Sequence, residues 1–377
     1  MTIPSIGGNG LNSIKIIQSG TNQIPEQVKE AIDIKGSDST LVSVEDKNVN
    51  LETQKHPETE ENSVEQFKKD YEKILYDKVL PELEPYEKER KLRFAGVLTC
   101  AIILGIVAFV TYFWVPAEVD RNGDLTWGSI ALAGFIWFAI KKSFEKKVKR
   151  KIMPKLMRAF PGFYWQQSQT VTNEEIDNVK FIPESKRCSK RFDDAFIGKY
   201  RDVEINIAEC EYNLGAGNNK KEIFNGAIIR IKMNKNFEGL TIIRPQKISS
   251  KDLLKPKKDK KAKTPPITLE KVELEDIEFN KKYNVFSTDQ IESRYLITTG
   301  FMERFNKLSF AFHSKGTYCA FFNKYIYIAP HVKGDLFNLF SLRKPVTDTK
   351  QFQEMFDQIV SVLEMVDYFK LDKKLGL

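Results

Sequence analysis

Six side chains close together in the sequence, Asp289, Glu292, Arg294, Tyr295, Glu303 and Arg304, are of the types that acid–base or anion-binding chemistry uses. Asp289 and Glu292 stand three apart, a spacing that puts two carboxylates on one helix face. Carboxylates in different surroundings separate in pKa and divide the acid and base roles. Two guanidiniums beside a phenol would instead hold an anion. The same residues also have a plainer use. Asp289 caps a helix, Glu292 returns the cap, Arg294 pairs with a carboxylate such as Glu303, and Tyr295, Leu296 and Ile297 pack inward. The residue types favour this plainer reading over binding, and binding over catalysis.

Other chemistries leave no trace. The sequence holds no HExxH, GxSxG, P-loop or Rossmann fingerprint. The Gly215-Ala216-Gly217-Asn218-Asn219 stretch lacks the lysine and hydroxyl of a phosphate cradle. Cys100, Cys188, Cys210 and Cys319 fall in no metal-ligand or CxxC spacing, and there are only three histidines. Neither a metal site nor a cofactor is expected, and an enzyme is the less favoured class.

The elements that must position these residues begin with an uneven distribution of apolar side chains. The chain has 377 residues, 41% hydrophobic and 29% charged, with a net charge of +8. Residues 94–115 run for 22 positions without a charge, long enough at about 1.5 Å per residue to cross a hydrocarbon core of roughly 30 Å. Residues 125–140 form a second uncharged run of 16. The short connector between them predicts a two-helix transmembrane hairpin over 94–140, with Trp114, Trp127 and Trp137 near the interfaces. Lys88, Arg90, Lys91 and Arg93 precede the hairpin and Lys141 and Lys142 follow it, whereas the connector offers Arg121 against Glu118, Asp120 and Asp124. The positive-inside rule puts both termini in the cytoplasm.

Residues 1–62 read as a disordered polar tail and 63–93 as a pre-membrane helix, broken or kinked at Pro81 and Pro85. Residues 141–168 read as a basic amphipathic juxtamembrane helix. Lys141, Lys142, Lys146, Lys147, Lys149, Arg150, Lys151, Lys155 and Arg158 oppose one acid, Glu145, while Phe144, Val148, Ile152, Leu156 and Phe160 recur every four residues. Such a helix would lie against anionic headgroups, each basic residue contributing about 1 kcal/mol. Residues 169–377 read as a cytoplasmic α+β domain of mainly antiparallel strands with covering helices. Its expected features are a capping box at Thr172 and Glu175, strands within 196–213, 227–233 and 240–243, and possible continuation of the sheet at 270–280. A helix over 301–308 capped by Thr298 or Thr299 follows, then a three-strand meander at 308–313, 317–322 and 325–329, and a long amphipathic helix over 352–369. A Lys-rich loop at 247–264 interrupts the domain without the aromatics that stack on bases, so nucleic acid is not an expected partner.

Three stretches carry a family resemblance: FDDAFIGKYRDVEINIAECEY (192–212), FNGAIIRIKMNKNFEGLTIIRP (224–245) and FNKKYNVFSTDQIESRYLITTGFMERFNKL (279–308). The chain resembles a family of uncharacterised, mostly bacterial two-span membrane proteins, a domain of unknown function with a cytoplasmic α+β domain, from about 141 to 369. The most specific positions are Phe286, Ser287, Thr288, Asp289, Glu292, Ser293, Arg294, Tyr295, Leu296, Ile297 and Thr298. Thr299 stands where the family often has proline. The resemblance implies a fold and an inner-membrane location but no activity.

Together these readings predict an integral membrane protein whose partners are the lipid bilayer, anionic headgroups and an unidentified protein. The leading expectation is a membrane-tethered cytoplasmic binding or scaffold module. A membrane-associated enzyme and an anionic-lipid-responsive protein are the alternatives.

Overall fold

The structure, a computed structural model, describes residues 64–114, 116, 124–234, 236–254 and 268–371. The expected polar tail, most of the hairpin connector and most of the Lys-rich loop lie outside these residues. The chain is α+β. In order come α1 (Val64–Ile74), a π turn (Leu75–Val79), α2 (Leu80–Trp114), α3 (Asp124–Leu156), β1 (Phe163–Gln167), α4 (Asn173–Val179), β2 (Ser189–Tyr200), β3 (Val203–Leu214) and β4 (Lys221–Lys232). Then follow β5 (Thr241–Pro245), α5 (Lys251–Leu254), β6 (Glu270–Val272), α6 (Ile277–Lys282), β7 (Tyr283–Ser287), α7 (Gln290–Leu296), α8 (Thr299–Ala311), β8 (Gly316–Phe322), β9 (Tyr325–His331) and α9 (Thr349–Leu371).

Pro81 and Pro85 do not break the first helix. The chain stays helical through both, and the ladder widens into the π turn just ahead of Pro81. A proline removes one rung of the ladder, and the wider turn takes up the displaced carbonyls. α2 and α3 pack antiparallel in a single register. The Thr111 and Thr126 hydroxyls bond at 2.9 Å near the tip, Lys147 meets Glu89 at 2.9 Å further down, and Lys155 pairs with Glu82 below that.

The two halves of this helix pair meet different surroundings. Toward the tip its apolar side chains face outward, with Ile102 55%, Phe109 60% and Trp127 69% exposed. Among the described residues one helix, Glu65–Trp114, is long and apolar enough to cross a membrane. The apolar run of α3 is shorter, ended by Asp124 and Lys141. Toward the base, Leu75, Val79 and Leu83 of the first helix and Phe144, Val148, Ile152 and Leu156 of α3 are buried in the main core. The apolar face expected to rest on headgroups is therefore covered by protein.

That core is built on a nine-stranded antiparallel sheet of order β1-β2-β3-β4-β9-β8-β5-β7-β6. Side chains alternate across a strand, so Val203, Ile205 and Ile207 enter the main core while Ala208, Cys210 and Tyr212 enter a second, smaller one. The first face is covered by the base of the helix pair with α8 and α9. Tyr71 bonds the Phe352 carbonyl at 2.6 Å and packs its ring 4.6 Å from Phe356. The second face is partly covered by α4, the 179–182 segment and α5.

The expected three-strand meander is a helix followed by a two-strand hairpin, because residues 308–311 continue α8. Phe301, Phe305, Leu308 and Phe312 recur at helical spacing and are all buried. That period wins over the β-propensity of the individual residues. Likewise only residues 270–272 of the 270–280 stretch add to the sheet, and residues 277–282 form α6.

Candidate binding site

The six residues singled out in the sequence do not form one site. Asp289 caps α7, its carboxylate accepting from the Ile291 and Glu292 amides at 2.8 and 2.9 Å. Glu292 does not return that cap. It reaches across to the turn before β5 and accepts from the Glu238 and Gly239 amides, both at 2.8 Å. Gly239 is needed for this approach, since a Cβ there would sit 2.6 Å from the Thr288 hydroxyl. Arg294 and Glu303 are exposed and make no ion pair with each other. Tyr295, expected to pack inward, is 69% exposed, whereas Leu296 and Ile297 are buried. Arg304 bonds the Gly300 carbonyl at 3.2 Å and lies 4.9 Å over the Tyr368 ring. Each residue that has a partner in this group serves its own local joint.

Groups that do converge lie elsewhere, on the open part of the second sheet face. A cleft of about 420 Å³ crosses β1 to β4 and β9, with Tyr164, Ile197 and Tyr325 as its apolar walls and Asn206, Arg230 and Lys232 as its polar lining. Register creates it. Tyr164 pairs with Ile197, Ile197 with Asn206, Asn206 with Arg230, and Arg230 with Tyr327, so one row of side chains spans five strands, and the Lys232–Tyr325 pair stands one step along the same face. Lys232 bridges to Glu204 at 3.0 Å, and Arg230 to Glu175 of α4 at 3.0 Å. Glu175 also accepts from the Tyr327 hydroxyl at 2.7 Å, which ties α4 to β9 as well as to β4. Lys199 lines the same opening and is exposed. Such a cleft offers apolar contact inside a mixed rim, in which Glu204 and Glu175 offset two of the cations Lys199, Arg230 and Lys232. Sequence alone carried no pointer to it, because it depends on the order of strands far apart in the chain.

A second polar cluster sits where α3 meets the sheet. Phe192 pairs with Cys210 and Ala195 with Ala208, so Asp193 and Asp194 bulge opposite the single residue Glu209. A bulge re-aims a side chain, and here Asp194 enters the main core. Its carboxylate pairs with Lys149 of α3 and accepts from the Trp165 indole at 2.9 Å. Glu209 accepts from the Leu336 amide at 2.8 Å through Oε1, while its buried Oε2 has no hydrogen-bond partner among the described residues. Burial opposes the Lys149 charge, but Asp194, Asp335 and Glu209 outweigh it and hold the ammonium above its ordinary value. Burial, then Asp335 and Asp194, push the Glu209 carboxyl well above the usual carboxylate range. The sequence does hold a signal for Glu209: it continues the Val203, Ile205, Ile207 phase into the core.

An acid with a raised folded pKa binds its proton more tightly in the folded state. Stability then falls as pH rises from the ordinary carboxylate range through the raised value. Glu209→Gln is expected to raise the melting temperature at neutral and alkaline pH and to flatten its fall with pH. The groups facing it, Lys149, Asp194 and Asp335, are unchanged in this variant. Thermal melts from about pH 5 to about pH 9 check the prediction; an unaltered slope would rule it out.

The basic stretch is divided by its partners. Lys149 is buried on Asp194, Lys147 meets Glu89, Lys155 meets Glu82, and Lys151 lies over the Tyr86 ring. Lys141 stands 3.8 Å from Glu145, Lys142 lies over Phe138, and Lys146, Arg150 and Arg158 are exposed.

Comparison with known proteins adds a family to this geometry. Residues 222–371 match the family model described as protein of unknown function (DUF3137). A DUF3137 domain covers this part of the chain. It runs from β4 to α9, narrower than the 141–369 span of the resemblance noted above. It includes Arg230, Lys232 and Tyr325 of the cleft and leaves out the helix pair. No curated protein matches the chain. Among solved structures, the mycobacterial trehalose monomycolate transport factor A is similar at 10% identity over 54% of this chain and 86% of that chain. The TM-score is 0.28, too low to carry fold or function across.

Proposed function

We propose that the protein is a binding or scaffold module held at the cytoplasmic face of a membrane by the α2–α3 hairpin. One observation carries this reading: the same two helices are apolar and exposed at one end and locked into the domain core at the other. Left in water, each exposed large apolar side chain forgoes about 1.5–3 kcal/mol of burial, and lipid removes that cost. The α3 run is short, and local thinning of the bilayer or tilting accommodates it. The excess of Lys and Arg at the base, against acids in the connector, supports cytoplasmic termini. An inner bacterial membrane is the compartment this reading implies.

The module's ligand would be taken by the cleft on the second sheet face. Its charged groups are already paired, Lys232 with Glu204 and Arg230 with Glu175, which suits recognition better than proton transfer. An unidentified protein partner fits the apolar walls, with the exposed Lys199 as the cation at the rim beyond the two pairs.

Two measurements test the proposal. Cysteine labelling in intact cells and in inverted vesicles should find sites introduced at 118 or 122 reachable only from outside, and sites at either terminus only from inside. Reachable termini on the outer side would refute the topology. Crosslinking and detergent purification should recover a partner that Lys199→Glu with Lys232→Glu loses while the protein stays in the membrane. An unchanged partner set in that variant would reject the cleft as the binding surface.

A further inference from the structure

The basic residues best placed to touch lipid lie outside the basic helix, in the segment before α9. Leu342 and Val346 are buried, and both are fastened to α2. Arg90 donates to the Leu342 carbonyl at 3.0 Å, and Glu87 accepts from the Val346 amide at 3.0 Å. Arg90 and Glu87 also bond each other, with contacts at 2.8 and 2.6 Å. Arg343 and Lys344 are therefore held out between two fixed points, and both are exposed.

Their level relative to the hairpin is set by aromatic contacts. The Arg343 guanidinium lies 5.0 Å over the Trp137 ring. Trp137 in turn meets the Phe94 ring edge-on at 6.1 Å. Phe94 opens the apolar run of α2 and Trp137 lies near the end of that of α3, so this contact marks where the exposed apolar surface begins. An indole at such a boundary favours the interfacial layer. Along the helices Lys91 precedes Phe94 by three positions and Lys141 follows Trp137 by four, each beside a carboxylate of its own helix, Glu87 at 3.9 Å and Glu145 at 3.8 Å. By contrast, Lys155 is 14 positions beyond Lys141 along a continuous helix, roughly 21 Å at 1.5 Å per residue. Surface potentials decay within about 8 Å at physiological salt, so the far half of the basic stretch gains little from lipid.

We propose that Arg343 and Lys344 form a docking site for the phosphate headgroup of an anionic lipid. The site rests on reading the helix pair as a membrane hairpin. Guanidinium and ammonium together fit a phosphodiester, and the Trp137 ring gives the glycerol and upper acyl chain an apolar wall. The DUF3137 domain, which contains both cations, would then face the bilayer directly.

The test is native mass spectrometry of the full-length protein in detergent, titrated with phosphatidylglycerol or with phosphatidylcholine of the same chains. The wild type should bind phosphatidylglycerol preferentially. Arg343→Gln with Lys344→Gln should weaken that binding about tenfold to thirtyfold, the effect of two cations at an anionic surface. Both side chains are exposed, and a melting curve confirms that the variant folds. Lys186→Gln with Arg187→Gln, equal in charge and exposed elsewhere, should bind as the wild type does. Unchanged binding in the first variant, or equal loss in the second, overturns the proposal. Displacement of the lipid by millimolar inorganic phosphate would assign the site to a free anion instead and also overturn it. A protein that is monodisperse without detergent would sink the hairpin reading itself, whereas a detergent-requiring protein with no lipid preference sinks this site alone.

Discussion

Lys149→Met should destabilise the domain by about 3–5 kcal/mol, the cost of leaving a buried charge without its partner. Asp194 is fully buried, and its carboxylate is held by Lys149 and the Trp165 indole. Removing the ammonium leaves one weak donor for a full negative charge. Asp194 would then take up a proton, and its burial-raised pKa would rise further. Because Lys149 belongs to α3 and Asp194 to β2, the loss falls on the joint between helix pair and sheet. Pairing Lys149→Met with Asp194→Leu should recover much of the loss, leaving mainly the unmet Trp165 N–H. A denaturant double-mutant cycle in detergent reads the coupling. A loss below about 1 kcal/mol for the single variant, the range of surface pairs, would show that the joint is solvated.

A comparable loss is expected for Arg244→Met, on the other side of the sheet. The guanidinium is fully buried yet satisfied: Nε donates to the Phe181 carbonyl at 3.0 Å and Nη2 to Lys180 at 2.5 Å. Its two terminal nitrogens clasp Asp252 at 2.8 and 3.0 Å. Methionine matches the stem but strands two inward carbonyls, so about 3–5 kcal/mol should be lost. Arg244→Lys should rescue little, because a single ammonium cannot span the planar fork. With α5 and the 179–182 segment released, limited trypsinolysis should cut at Lys247 and Lys251 well before the rest of the domain. A lysine variant that melts with the wild type would show that the fork geometry does not matter.

Part of this architecture is legible without any structure. The caps at Thr172, Asp289 and Thr298 each involve an amide no more than three residues away. The buried stripe of α9, from Phe352 to Phe369, repeats at the helical period. Lys149 was legible as a charge but not as a buried one. Its spacing from Glu145, Ile152 and Leu156 puts it on the inward face of α3, and only the bulge at Asp193–Asp194 supplies its partner. Residues 308–311 misled because Leu308 and Phe310 suit either a strand or a helix, and packing of Phe312 against the core decides between them.

By itself, then, the sequence determined what depends on near neighbours: helix starts, apolar periods, the charge asymmetry around the long apolar run. Each of these is an interaction over a few residues or a property of composition. Only the tertiary structure decided that Glu292 serves a turn 53 positions away, that Lys149 is a core residue, and that one row of side chains from five strands becomes a cleft. Those outcomes follow from strand order and register, which chain-local energies leave open and which packing of both sheet faces selects.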